Sequence, residues 1–145
     1  MLNVIQLQLL LAGLLGSHGS APPEELTVDV TGLKSSRGTC QVQVFGSANG
    51  FPAETSRAIT SVSGTIAGGK CRVKLNDLAP GEYAIAVVHD EDGNGKLDTT
   101  LLGMPKEGVG NSNNPARAGG PPSFSAAKFT FSGGRQVVVV TIRYW

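Results

Sequence analysis

From Glu25 onward the chain runs in short stretches whose apolar residues fall on every second position, separated by Gly, Pro, Asn and Asp. That alternation marks strands with one buried and one solvated face. No long stripe with helical spacing interrupts it, so the chain must bury its apolar surface by stacking sheets. Strands are predicted near 25–31, with Leu26, Val28 and Val30 inward, and near 40–45, 58–66, 71–76 and 82–89. Two more are predicted near 126–132 and 136–144, joined as a hairpin through Gly133-Gly134. The Gly46 to Arg57 connection has room for a helical turn but not for a sustained amphipathic helix, and reads as a loop. Pro80-Gly81 reads as a type II turn, with positive φ at Gly81, that delivers Tyr83 into a strand. The expected fold is all-β: a seven-stranded immunoglobulin-like or transthyretin-like β-sandwich with one long irregular loop from Gly103 to Pro122.

Ahead of this pattern lies a different composition. Residues 1–19 carry no Lys, Arg, Asp or Glu, and Val4 to Leu15 is almost wholly apolar. The stretch falls short of the roughly 18 to 20 apolar residues a membrane span needs. It passes directly into the small residues Gly16, Ser17, Gly19 and Ser20, the pattern of a cleavable signal peptide, although the usual basic n-region is missing. The reading is a signal peptide over 1–19, cleaved after Gly19, and a single domain over 20–145, secreted or periplasmic. No Cys stands near the cleavage zone, so neither a lipid anchor nor any other stable membrane anchor is expected. With 12 basic and 11 acidic side chains, the chain has no broad electrostatic attraction to nucleic acid.

Cys40 and Cys71 each open an alternating run, so each shares a face with apolar neighbours. Export would place them where disulfides persist. A Cys40–Cys71 bond closes a loop of about 30 residues and constrains the unfolded chain by roughly 3.5 to 4 kcal/mol in the chain-entropy model. The alternative is two buried free thiols packing as small hydrophobes.

The densest set of oxygen ligands is His89-Asp90-Glu91-Asp92-Gly93-Asn94-Gly95-Lys96-Leu97-Asp98. Asp90, Asp92 and Asn94 occupy the first, third and fifth positions of a calcium loop, Gly95 the sixth, the Lys96 carbonyl the seventh and Asp98 the ninth. The twelfth position is Leu101 where an EF-hand has a bidentate Glu, and no helices flank the loop, so a true EF-hand is excluded. What remains is a weak calcium site of the extracellular kind. A dissociation constant around 10⁻⁴ to 10⁻³ M would stabilise the fold by roughly 0.4 to 1.4 kcal/mol at millimolar calcium. The metal-free alternative has Asp and Asn capping their own backbone and Lys96 neutralising the carboxylates.

Once the signal peptide is removed His89 is the only histidine, so zinc chemistry on paired histidines is excluded. A hydrolase using His89 with Asp90 or Asp92 lacks a Gly-x-Ser-x-Gly elbow, and the residues point to a protein that is not an enzyme. The first alternative, ahead of the hydrolase, gives the 103–122 loop a binding role, with Asn111, Asn113, Asn114 and Arg117 offered to a glycan or an envelope protein. Self-packing of that loop is the competing account.

The motifs Leu-Thr-Val-Asp-Val-Thr-Gly-Leu at 26–33, Gly-Phe-Pro at 50–52, Leu-Ala-Pro-Gly-Glu-Tyr-Ala at 78–84 and the 89–98 run are all present. So are Leu-Gly-Met-Pro-Lys-Glu-Gly at 102–108, Asn-Ser-Asn-Asn at 111–114 and Gly-Pro-Pro-Ser-Phe at 120–124. In these the chain resembles the secreted bacterial domain of unknown function 2141 family across nearly the whole expected mature segment. The resemblance implies an exported β-sandwich module and implies no biochemical role. Val109 stands where the family often has an aromatic, which removes a stacking role there, and the Cys pair is no part of the resemblance.

Overall fold

In the segment Cys71–Leu75 every second residue is buried, as period two dictates, and its neighbours supply the partners that make burial worthwhile. The computed structural model describes residues 16, 19–21, 23–116 and 119–145. The expected signal segment, apart from Gly16 and Gly19, and Arg117 lie outside the described residues. The strands are β1 (Glu25–Thr31), β2 (Thr39–Phe45), β3 (Thr60–Gly64), β4 (Cys71–Leu75), β5 (Gly81–Asp90), β6 (Gly108–Asn111), β7 (Phe129–Phe131) and β8 (Arg135–Thr141). A four-residue helix α1 (Phe124–Ala127) precedes β7, and Thr55–Arg57 forms a 3₁₀ turn.

The strands form two sheets. The three-stranded one has the order β4-β1-β8; the five-stranded one runs β3-β2-β5-β6, with β7 also on β5. β1 and β8 are parallel, Val28 opposite Val138, and the other strand pairs are antiparallel. The core lies between the sheets, where Leu26, Val28, Val42, Ile85, Phe131 and Val140 are fully enclosed. β5 is buried from Tyr83 to Asp90, because chain segments cover its outer face as well. Tyr83, Ile85 and Val87 of β5 belong to the core, and His89 continues that parity; Asp90 has the opposite one.

Four expectations are corrected. Eight strands are present where seven were predicted, and the extra one, β6, lies inside the 103–122 segment expected to be irregular. The predicted 126–132 strand is α1 followed by the short β7. No hairpin joins β7 to β8: β7 pairs with β5 and β8 with β1, so the Gly133-Gly134 turn, with φ of 86° and 69°, passes the chain from one sheet to the other. Gly81 is absent from the positive-φ positions and begins β5; a Cβ there would stand 3.3 Å from the Tyr83 hydroxyl, so close packing favours glycine. The Tyr83 hydroxyl donates back to the Ala79 carbonyl at 2.6 Å, locking the strand entry.

Cys40 and Cys71 are buried free thiols at the starts of strands in opposite sheets. Cys71 Sγ occupies the space a Cβ on Gly64 would need, and Gly64 is the register partner of Cys40. A hydrogen bond with Cys71, with burial adding, pushes the Cys40 thiol far up, so it stays protonated.

Candidate metal centre

Asp90 closes β5, and its carboxylate is 1% exposed. The chain then turns sharply through Gly93 and Gly95, both at positive φ, which only glycine adopts without strain. The turn folds the loop backbone onto Asp90, whose oxygens accept the Asn94 N–H at 3.2 Å and the Gly95 N–H at 2.8 Å. Asp92 accepts the same Asn94 N–H at 3.1 Å, which lowers its carboxyl. Asn94 turns its NH₂ toward Asp92 (3.2 Å) and Asp98 (2.8 Å), while its oxygen accepts the Lys96 N–H at 2.8 Å.

The third carboxylate comes from outside this run. Glu107, immediately before β6, is 6% exposed and accepts the N–H groups of Glu91 (3.2 Å) and Asp98 (3.4 Å). Ligand oxygens of Asp90, Asp92 and Glu107 lie within 4.8 Å of one another. Burial, reinforced by the charges of Asp90 and Asp98, pushes the Glu107 carboxyl up against the pull of its two N–H donors. Among the described residues every ion pair goes elsewhere: Lys34–Glu91, Arg57–Glu54, Arg72–Asp29, Lys74–Glu25 and Lys128–Glu82. The neutralising role considered for Lys96 is therefore not met by an ion pair there. Three carboxylates, two of them buried and none opposed by a cation, can hold a metal ion.

Of the five residues expected as ligands, Asp90 and Asp92 enter this triad. Asn94 and Asp98 bond to each other beside it, and Lys96 is exposed. Leu101, the empty twelfth position, points fully into solvent at the tip of a small hairpin. That hairpin is closed by the Lys106 N–H on the Asp98 carbonyl at 2.8 Å and by Thr99 bridging Pro105. Its return strand brings Glu107 beside Asp90 and Asp92. The available signal was simple: Glu107 is the only acidic residue after Asp98.

His89 sits on the other face of β5, buried, with both ring nitrogens engaged. Nε2 lies 2.8 Å from the Arg37 carbonyl, which can only accept, so Nε2 carries the proton. In the neutral ring Nδ1 then accepts from the Tyr144 hydroxyl at 2.6 Å, and that hydroxyl accepts the Lys34 N–H at 3.0 Å. Lys34 lies over the Tyr144 ring at 4.6 Å and pairs with Glu91 at 2.8 Å. This cluster ties β5 to the chain after β8.

The Asn-Ser-Asn-Asn run is likewise spent inside the fold. Ser112 donates to the Ala127 carbonyl (2.5 Å) and accepts the Ile85 N–H (2.8 Å). Asn113 donates to the Ala126 and Lys128 carbonyls. Asn114 brackets the β8 edge, donating to Val139 O at 3.1 Å and accepting Thr141 N–H at 2.8 Å, so its amide stands in for a neighbouring strand's peptide.

A family model described as an uncharacterized protein conserved in bacteria (DUF2141) matches residues 28–139, a span that holds the whole triad. The chain belongs to the DUF2141 family. No curated protein and no solved structure matches it. Within the DUF2141 segment, the Lys-Glu-Gly-Val-Gly stretch now has a physical account. Glu107 supplies a carboxylate, a Cβ on Gly108 would collide with Tyr144 and Ile142, and one on Gly110 would collide with Val140 and the Thr141 carbonyl. Val109 lies between them, half-buried, on the outer side of β6.

Proposed function

We propose that the chain is an exported, non-enzymatic sandwich module that holds one calcium ion between Asp90, Asp92 and Glu107. The observation that carries this is the convergence of those carboxylates with no opposing cation among the described residues. An all-oxygen, carboxylate-rich donor set suits calcium better than the smaller, stricter magnesium. The ion would tie the loop after β5 to the start of β6, adding to the two long backbone-to-carboxylate hydrogen bonds that Glu107 already makes to that loop. The turn-and-hydroxyl lock of Tyr83 supports an immunoglobulin-like reading of the sandwich. Engagement of both His89 nitrogens supports a structural role for that residue over general-base chemistry.

Calorimetric titration of calcium into EDTA-stripped protein tests the site, with melting followed in parallel and magnesium as control. Submillimolar to millimolar binding with a raised melting temperature is expected, and Glu107→Gln should remove both. Leu101→Glu, which restores a twelfth-position carboxylate in sequence, should leave affinity unchanged because its side chain points away. A calcium response that survives Glu107→Gln sinks the assignment.

A further inference from the structure

A cleft of about 510 Å³ lies on the outer face of the five-stranded sheet. Its floor is Ala86, Val88 and Val109; Leu102 and Met104 of the small hairpin line one part, Pro115 and Pro121 another. The volume falls in the range of small-molecule sites, and the lining is predominantly apolar. Leu102 is 90% exposed on its own, so this apolar wall is not held down by the fold beneath it.

Among the described lining side chains, Arg143 alone is charged. Arg143 lines the cleft, and its backbone is fixed by two hydrogen bonds to Val109, at 3.0 and 2.9 Å. Its guanidinium has no carboxylate partner among the described residues. Among the other polar lining groups, the Asn114 amide is used on both sides by β8. A neutral hydrocarbon would leave the cation unanswered. Apolar walls with one unpaired guanidinium match an apolar chain that ends in an anion.

We propose that this cleft binds a free long-chain carboxylate, its acyl chain along Val88, Val109 and Met104 and its carboxylate on Arg143. Trp145, the only tryptophan of the chain, also lines the cleft and reports on occupancy. Its emission is followed while dodecanoate, or dodecyltrimethylammonium as the cationic control, is added below the micelle threshold.

A saturable blue shift with dodecanoate is expected, with the ammonium binding at least about tenfold more weakly, the scale of one charge-assisted hydrogen bond. Arg143→Gln should erase that preference while retaining the shift, and Leu102→Asp should weaken both ligands. Circular dichroism and melting confirm that these exposed-site variants fold. The proposal is overturned by no saturable shift, by equal affinities in the parent protein, or by a preference that survives Arg143→Gln. Binding to phosphatidylglycerol vesicles without binding to dodecanoate also overturns it and assigns the face to a membrane surface.

Discussion

The Asp90–Asp98 loop and the Asn111–Asn114 segment are both dense in polar side chains, yet they use them in opposite ways. Hydrogen bonds inside the acidic loop join residues two to five positions apart. Those of Ser112, Asn113 and Asn114 reach partners 13 to 27 positions away, all of them backbone groups. The first arrangement leaves charge unresolved and gathers it at one point. The second spends Ser112, Asn113 and Asn114 on backbone groups, joining β5, α1 and β8. A polar cluster whose partners are distant backbone groups is part of the scaffold; one that folds back on itself around like charges is where a ligand belongs.

The largest expected effect lies outside both regions and sets the scale. Closing the Cys40–Cys71 bond should stabilise the protein by roughly 3.5 to 4 kcal/mol through the unfolded state. Because the pair sits in the core, the gain should add to changes in either loop. Thiol titration in denaturant after isolation from an oxidising compartment checks it, and two reactive thiols per chain would show that no bond forms. Next comes Ser112→Ala, which strands the buried Ile85 N–H and Ala127 carbonyl and should cost between about 2 and 4 kcal/mol by denaturant melts. Calcium binding by the folded fraction should be unchanged; a loss would erase the distinction between scaffold and site.

Glu107→Gln is the converse. Without calcium it should leave stability unchanged or slightly raised, since the fold disfavours the charged form, but it should forfeit the roughly 0.4 to 1.4 kcal/mol that calcium adds. A strong metal-free destabilisation would make Glu107 scaffold after all. The smallest effect is expected for Asp29→Asn at the exposed pair with Arg72. The Arg72 hydrogen bonds hold the Asp29 carboxyl below its ordinary 3.8. Its contribution is thus complete above that value and lost as pH falls through the folded one, so parent and variant melts should converge in acid, with or without calcium.

Local alternation made β1, β2, β4 and β5 legible nearly to the residue, because each carries its own buried face. β6 was not, since Gly108 and Gly110 read as loop residues and are required only by Tyr144 and Val140, which are remote in sequence. The mistaken hairpin has the same origin: a glycine pair permits a tight turn, but pairing was decided by β5 and β1. At the site, Asp90 and Asp92 were visible in the spacing rule of calcium loops. Glu107 obeys no such spacing, because its place is set by the length of an intervening hairpin.

The parallel pairing of β1 with β8 has a consequence for the order of events in the chain's assembly. Thr31 and Thr141, which face each other across it, are 110 positions apart. β1 is the middle strand of its sheet, so Leu26 and Val28 have no complete surroundings until β8 has left the ribosome. Such non-local closure is slow and leaves no early autonomous core. A nascent chain of this topology stays open until β8 has emerged, available until then to any machinery that requires an unfolded substrate.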